Sequence, residues 1–267
     1  MLIEGSVISD VGKIRQNNED NFFLNGLYRQ NMQENSFEMT QKADGRRAVY
    51  AVCDGMGGED YGEVASLCAV SALEVFKNNK WSDGVIEGYI NSVKADMTEK
   101  SRKLLSEGMG STLALLYFED NTAHIANMGD SRIYIYRNGK LKQLTKDHTQ
   151  ARLLMDNGLL KEDEARKHIS SHMLTRYLGT ESSVTFRDIY KAHDIKLCKE
   201  DIFLLCSDGL TDMLADNEIE EYFYKADKKD TCKIVKGLCK AALAAGGKDN
   251  ITCIAARVIK KDKLFFK

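Results

Sequence analysis

Short apolar runs typical of strands come in groups along this chain, and stretches with the three-and-four apolar spacing of a helix come in pairs. The predicted strands cover residues 3–11, 22–24, 48–52, 112–118, 122–127, 132–136, 184–190, 202–206 and 251–259, and the predicted helices cover 62–77, 84–107, 217–224 and 230–245. A parallel doubly wound sheet requires strict alternation of strands and helices, which this order lacks. The sequence therefore predicts an antiparallel α+β fold.

The segments between these elements differ in character. Residues 26–46 are polar with little periodicity, so we predict a loop or an exposed hairpin extension there. The strands between 112 and 136 follow one another closely and end at Asn138-Gly139, a strong hairpin signal, which predicts an antiparallel meander. Residues 147–167 predict short charged helices, and we predict that 146–183 forms a mobile flap. Because no linker, repeat or low-complexity segment is present, residues 1–267 are predicted to form a single domain.

Composition argues against several classes of partner. The net charge is −2 with both signs interspersed, so the chain has no basic field for nucleic acid and no polybasic patch for anionic lipid. The first residues lack the pattern of a signal peptide, and no apolar run reaches the roughly 18 residues of a membrane span. We therefore expect a cytoplasmic protein with neither a membrane nor a nucleic acid as partner. The seven cysteines include no Cys-x-x-Cys pair, which favours reduced core residues.

Four aspartates stand where apolar runs end or begin, at Asp54, Asp130, Asp208 and Asp249. One such residue is ordinary turn chemistry. Strand ends of one core can converge, however, and converging carboxylates repel one another unless cations neutralise them. Mg²⁺ and Mn²⁺ prefer oxygen ligands, and the lack of a His or Cys ligand set argues against zinc. The sequence therefore predicts a site for hard divalent metals.

An ordered set of short motifs surrounds these aspartates. The motifs are Arg15–Asp20, Asp54–Gly58, Gly62–Ser66, Gly110–Thr112, Gly129–Arg132, Ser207–Leu210 and Lys248–Thr252. Together they resemble the metal-dependent protein phosphatases of the 2C type, in the compact bacterial form, over nearly the whole chain. The resemblance implies a four-layer α-β-β-α sandwich, with two antiparallel sheets face to face and a pair of helices outside each. It also implies a centre of two Mn²⁺ or Mg²⁺ ions at one edge.

The resemblance implies direct metal ligands by position. Asp54 matches the ligand that bridges the two ions. Asp208 and Asp249 match the residues that complete one ion, and the carbonyl of Gly55 matches the ligand of the other. Such a site of few direct carboxylates suits Mg²⁺, which parts with its waters reluctantly.

Further acids match the surroundings of the family's metal centre. Glu19 and Asp20 match outer-sphere acids that hold metal-bound waters. Asp130 matches the aspartate that takes a third metal together with Asp208 in bacterial members, and Asp212 is a weaker candidate for that third site.

The implied chemistry is direct hydrolysis. Two metals about 3.5–4 Å apart can share a water, lower its pKa and deliver hydroxide in line to phosphorus. Arg15 matches the family arginine that clamps the substrate phosphate, and a planar guanidinium can grip two oxygens at once. Met56 stands where many eukaryotic members place a histidine thought to protonate the leaving alkoxide, so we expect a metal-bound water to replace it. His148 resembles a family position near the flap, and no role is assigned to the histidines at 124, 168, 172 and 193.

These features predict a monomeric phosphatase that acts on phosphoserine and phosphothreonine in proteins and opposes a serine/threonine kinase. Two alternatives share the fold, namely a non-catalytic interaction module and a stress-response regulator that reads a phosphorylated partner. Loss of a core metal aspartate would favour the module, but Asp54, Asp208 and Asp249 are all present. A two-metal nuclease is disfavoured by the missing basic surface.

Overall fold

The computed structural model describes residues 1–56, 61–106, 108–165, 168–180, 184–185, 187–192, 194–226 and 230–259. The strands are β1 (Leu2–Asp10), β2 (Asp20–Leu24), β3 (Ser36–Asp44), β4 (Arg47–Met56), β5 (Gly110–Ser111), β6 (Leu113–Glu119), β7 (Thr122–Met128), β8 (Arg132–Arg137), β9 (Lys140–Gln143), β10 (Leu178–Gly179), β11 (Tyr190–Lys191), β12 (Ile195–Lys196), β13 (Ile202–Cys206) and β14 (Ile251–Ile259). The helices are α1 (Gly62–Ser71), α2 (Glu74–Asn78), α3 (Asp83–Leu104), α4 (Gln150–Asp156), α5 (Glu162–Ala165), α6 (Asp208–Thr211), α7 (Asp216–Lys225) and α8 (Thr231–Ala244).

The strands form two antiparallel sheets. The first sheet has six strands in the order β3-β1-β14-β13-β8-β9. The second has eight strands along the path β10-β5-β4-β6-β7-β11, with β2 paired to β4 and β12 paired to β7. The runs of strands joined by short turns are what an antiparallel fold requires, because parallel strands need a long crossover between them. The predicted α+β fold is confirmed.

Strand β4 shows how the two sheets share a core. Its side chains Tyr50 and Val52 enter the cluster between the sheets, whereas Val49 and Ala51 enter the cluster beneath the helices. Successive side chains of a strand point to opposite faces, so a strand that is apolar at every position can be buried on both. This double burial explains why the run at 48–52 lacks the alternation of a half-exposed strand.

Helices cover the outer faces of both sheets. Helices α1, α2 and α3 pack on the second sheet through a buried cluster that includes Phe76 and Val93. Helices α7 and α8 pack on the first sheet through residues such as Ile219 and Leu238. The layers therefore run helix, sheet, sheet, helix, which confirms the four-layer sandwich that the resemblance implies. None of the helices in the described residues combines the length and apolar composition that a bilayer crossing requires.

Residues 26–46 contain a strand, β3, where the sequence predicts a loop or an exposed hairpin extension. Strand β3 pairs with β1 along its whole length, from Leu2 opposite Asp44 to Asp10 opposite Ser36. It lies at the edge of the first sheet, and most of its side chains are exposed. Phe37 and Ala43 pack into the core between the sheets. Met39 is exposed and Gln41 interrupts the apolar alternation on that face, so the sequence alone shows little periodicity.

Three other predictions need correction. The single helix predicted over 62–77 is divided into α1 and α2. The strands between 112 and 136 are not one meander, because β6 and β7 belong to the second sheet and β8 and β9 to the first. The strand predicted over 184–190 is wrong, since only Tyr190 at its end is in a strand; residue 186 lies outside the described residues.

The segment 146–183 contains α4, α5 and β10. An antiparallel β-bridge pairs Thr149, just before α4, with Leu174, between α5 and β10. Residues 166–167 and 181–183 lie outside the described residues. The mobility of this segment stays a prediction.

Candidate metal centre

The four aspartates at strand ends meet at one edge of the sandwich. Asp54 lies near the end of β4 in the second sheet, and Asp130 lies in the turn between β7 and β8. Asp208 begins α6 directly after β13, and Asp249 precedes β14. All four line a single open cavity of about 940 Å³, together with the predicted site residues Arg15, Glu19 and Gly55. Acids from both sheets therefore face a shared space.

Asp20 lies beneath this cavity and connects the two sheets. It is fully buried and stands opposite Asp54 in the pairing of β2 with β4. Ser207, at the end of β13, donates its hydroxyl to Asp20 Oδ2 at 2.6 Å, and the backbone N–H of Thr252 donates to the same hydroxyl at 3.0 Å. The predicted outer-sphere acid is thus held by residues of the opposite sheet.

Glycines in the motifs permit backbone approaches that no side chain would allow. A Cβ at Gly55 would lie 1.9 Å from the carbonyl oxygen of Gly62, and one at Gly62 would lie 2.6 Å from Cδ of Glu19. A Cβ at Gly209 would lie 2.0 Å from the carbonyl oxygen of Asn250. These approaches bring Glu19, the start of α1 and the start of α6 to the cavity. Residues 57 and 58 lie outside the described residues.

The loop that carries Arg15 is held by the side chain of Asn250. Its amide nitrogen donates to the carbonyl oxygens of Val11 and Asn17, each at 3.0 Å, and its amide oxygen accepts the backbone N–H of Glu19 at 2.8 Å. Arg15 is half exposed, and its guanidinium lies 2.7 Å from Oδ2 of the neighbouring metal-site candidate Asp249. The predicted phosphate clamp therefore stands at the cavity wall.

Burial and mutual repulsion disfavour the charged forms of these acids. Burial, reinforced by Asp20 and Asp208, raises the pKa of Asp54 well above its usual value. Burial and the charge of Asp208 likewise raise the pKa of Asp130, and burial raises that of Asp20 to about 7. Converging buried carboxylates need a positive charge to stay ionised together.

The donor set fits hard divalent cations. Oδ1 of Asp20 and Oδ1 of Asp208 are buried and accept no hydrogen bond from the described part of the chain. Buried polar atoms are nearly always paired, so such orphan oxygens point to a partner that the polypeptide does not supply. Carboxylate oxygens together with a backbone carbonyl are the ligands that Mg²⁺ and Mn²⁺ prefer.

His172 is a site residue to which the sequence assigns no role. Its Nδ1 lies 3.4 Å from Oδ2 of Asp208, and its Nε2 lies 3.6 Å from Oδ2 of Asp212. The contact with Asp208, aided by the charges of Asp212 and Asp130, raises the pKa of His172 to about 9. A lone histidine 36 residues before its partner in the chain leaves no local pattern, so only the folded chain shows this contact.

His148 and Met56 occupy different surroundings. His148 is buried, and its Nδ1 accepts the backbone N–H of Gly129 at 3.1 Å. Its own backbone N–H donates to the carbonyl of Gly129 at 2.9 Å, so His148 holds the turn that presents Asp130. Met56 lines the cavity, where its thioether offers no proton to a leaving group.

Comparisons with known proteins identify the family of this chain. A model of the family described as Protein phosphatase 2C matches residues 8–154, which is more than half of the chain. The serine/threonine phosphatase stp of Listeria monocytogenes is 32% identical, and the alignment covers 92% of each chain. The serine/threonine protein phosphatase PstP of Mycobacterium tuberculosis is 31% identical over 98% of this chain but 46% of its own length. The chain therefore spans about half the length of that relative.

Solved structures give the same result. The crystal structure of the Mycobacterium tuberculosis serine/threonine phosphatase PstP/Ppp superposes with a TM-score of 0.80 at 28% identity, covering 97% of this chain and 100% of the other. The catalytic domain of PstP in complex with two manganese ions gives a TM-score of 0.77 at 28% identity with the same coverage. The family model over more than half of the chain and the relative at 32% identity show that the chain belongs to the protein phosphatase 2C family.

Proposed function

We propose that this chain is a metal-dependent phosphatase that hydrolyses phosphoserine and phosphothreonine in proteins. The observation that carries the proposal is the single cavity into which acids of both sheets and Arg15 converge. The names of its relatives as serine/threonine phosphatases support the substrate class. We further propose that the substrates are cytoplasmic proteins phosphorylated by a serine/threonine kinase and that the enzyme acts as a monomer.

The residues that would hold the metals follow from their positions around the cavity. We assign Asp54 as the ligand common to two ions, Asp208 and Asp249 to one ion, and the carbonyl of Gly55 to the other. When bound, two Mn²⁺ or Mg²⁺ ions would supply the nucleophile, a hydroxide that bridges them, and would screen the charge of the phosphoryl oxygens. We assign Glu19, which borders the cavity, and the buried Asp20 as outer-sphere acids that would hold metal-bound waters.

Arg15 is suited to position the substrate. One of its nitrogens is bound to Asp249, and a guanidinium has five N–H donors in a fixed planar array. The remaining donors can therefore bind phosphate oxygens while the contact with Asp249 fixes the orientation of the side chain. The leaving alkoxide cannot take its proton from Met56.

The flap and the domain assignment belong to the same proposal. We propose that residues 1–267 form one catalytic domain and that 146–183 acts as a flap over the cavity. Met155 and Leu174 of this segment line the same cavity as Arg15 and Asp249, which supports a role in contacting the polypeptide around the phosphorylated residue.

Replacing Asp54 by Asn tests the proposal directly. We expect Mn²⁺-dependent hydrolysis of an aryl phosphate and of a phosphothreonine peptide to fall by on the order of 100-fold or more, because the variant loses a charged ligand. Asp44→Asn is the matched control, since Asp44 is exposed at the end of β3 beside Arg46 and its replacement should leave turnover unchanged. Wild-type turnover in Asp54→Asn would contradict the metal assignment.

A further inference from the structure

The flap contributes a nitrogen donor to the acidic cavity. His172 lies in the flap between α5 and β10, and its imidazole stands between two acids at the start and end of α6, Asp208 and Asp212. The adjacent Met173 accepts the backbone N–H of Gln150 at 2.9 Å, which ties this part of the flap to the start of α4. The imidazole is more than half exposed, so it is free to adjust toward the cavity.

The surrounding groups have the spacing of ligands of one ion. A ring nitrogen of His172, a carboxylate oxygen of Asp130 and one of Asp208 all lie within 4.8 Å of one another. Ligands about 2.1 Å from an octahedral ion are roughly 3 Å apart when adjacent and about 4.2 Å apart when opposite. The three donors therefore need to move only a little to share one cation.

Two observations besides the spacing point to a cation. Asp130 is only 9% exposed, and within the described residues its carboxylate accepts a hydrogen bond from its own backbone N–H but none from another side chain. Oδ1 of Asp208 is buried and has no hydrogen-bond donor among the described residues. Buried carboxylate oxygens without donors are costly unless a cation binds them.

We propose that His172 is a further ligand of the third divalent ion that the resemblance places at Asp130 and Asp208, and that Asp212 orients its ring. In the tautomer protonated at Nε2, this N–H faces Oδ2 of Asp212 at 3.6 Å and Nδ1 presents its lone pair toward Asp208, which resembles the common arrangement in which a carboxylate orients a metal-binding histidine. The proposal deepens the proposed function and rests on it for the neighbouring two-ion centre. It adds a flap nitrogen to a site otherwise built of oxygens.

The nitrogen donor has two consequences. Imidazole suits transition metals better than Mg²⁺, so the third site prefers Mn²⁺ to Mg²⁺ more strongly than an all-oxygen site does. The ligand also belongs to the flap, so binding of the third ion holds the flap against α6.

Pulsed electron paramagnetic resonance on the full chain loaded with Mn²⁺ tests the proposal without reference to activity. We expect a ¹⁴N hyperfine coupling to Mn²⁺ that becomes a ¹⁵N coupling in protein labelled with ¹⁵N-histidine. The coupling should be absent from His172→Gln and retained in the matched control His168→Gln, whose imidazole bonds to Ser170 within the same flap.

Calorimetric Mn²⁺ titration supplies the second readout. We expect His172→Gln to weaken the third site by about 10–100-fold and to leave the two tighter sites unchanged. His172→Asp should restore the third ion without the nitrogen coupling and with a smaller preference for Mn²⁺ over Mg²⁺.

The outcomes separate this proposal from the proposed function. A wild-type protein that binds Mn²⁺ without nitrogen coupling, or a coupling that persists in His172→Gln, would show that His172 is only an ion-pair partner of the two acids. Either result overturns the third-ion proposal and leaves the two-ion phosphatase intact. The proposed function fails instead if Asp54→Asn keeps wild-type turnover.

Discussion

At the scale of single residues, His148 illustrates how a histidine can serve the site without touching the chemistry. It is buried and accepts a hydrogen bond from the backbone of Gly129 through Nδ1, so the folded chain keeps it neutral. Burial and the nearby charge of Arg176 lower the pKa of His148 to about 4. His148 resembles a family position near the flap, and in this structure it supports the turn that carries Asp130.

The pKa of His148 predicts a dependence of stability on pH. An unfolded histidine has a pKa of about 6.5, so between pH 6.5 and 4 the unfolded chain binds a proton that the folded chain does not. Stability should therefore fall as the pH drops through this window, by about 2 kcal/mol from this residue between pH 7 and 5.

Urea unfolding of metal-free protein at the two pH values measures this contribution. His148→Asn places an amide oxygen where Nδ1 stands but cannot titrate, so the variant should lose about 2 kcal/mol less than the wild type between pH 7 and 5. Equal losses in both proteins would mean that His148 titrates normally in the folded state.

At the scale of elements, the start of α1 is shaped by its contacts rather than by helix propensity. Alanine usually stabilises a helix relative to glycine by about 1 kcal/mol. At Gly62, however, a Cβ would lie 2.6 Å from Cδ of Glu19 and 2.8 Å from the carbonyl oxygen of Gly55. Gly88 in α3 has open space around the same position.

The two glycines therefore predict opposite effects of the same substitution. Gly88→Ala should raise the free energy of unfolding by about 1 kcal/mol, and Gly62→Ala should lower it, because the Cβ must displace Glu19 and the β4 end. Chemical denaturation of both variants without metal measures the difference. A gain in stability for Gly62→Ala would contradict this expectation and would show that the end of β4 can shift to make room for the added Cβ.

The elements that can be predicted from the sequence are those whose own residues show an apolar pattern typical of a strand or a helix. The runs at 48–52, 202–206 and 251–259 are strands because they are almost entirely apolar and buried on both faces. Strand β3 depends instead on its pairing with β1, a contact distant in the chain, and Gln41 breaks the apolar alternation of Phe37 and Ala43, so the sequence does not reveal it. The role of His172 cannot be predicted from the sequence either, because its contacts with Asp208 and Asp212 depend on how the segment 146–183 lies against α6.

At the scale of the whole molecule, the candidate metal centre is shared between the sheets. Asp54 belongs to the second sheet, whereas Asp208 and Asp249 flank central strands of the first. Sequence motifs identify these residues, but their convergence depends on how the sheets stack. A cation bound by all of them would connect the two halves of the sandwich and would be absent from the unfolded chain.

Metal should therefore stabilise the whole fold. A ligand at 100 times its dissociation constant stabilises the folded state by about 2.7 kcal/mol, so saturating Mn²⁺ should raise Tm by roughly 5 °C or more. Scanning calorimetry with Mn²⁺ and then with a chelator measures this shift. The Asp44→Asn variant should keep this increase in Tm, and the Asp54→Asn variant should lose most of it. A Tm that does not change when Mn²⁺ is added would argue against a shared centre.

The position of β14 has a consequence for biosynthesis. This strand is inserted between β1 and β13, and Asp249 stands two residues before its start, nearly two hundred residues after Asp54 in the chain. A nascent polypeptide that has emerged from the ribosome only as far as α8 lacks both the middle of its first sheet and one of its acids. Incomplete translation products should therefore be catalytically silent, so a cell would be protected from unregulated dephosphorylation by truncated copies.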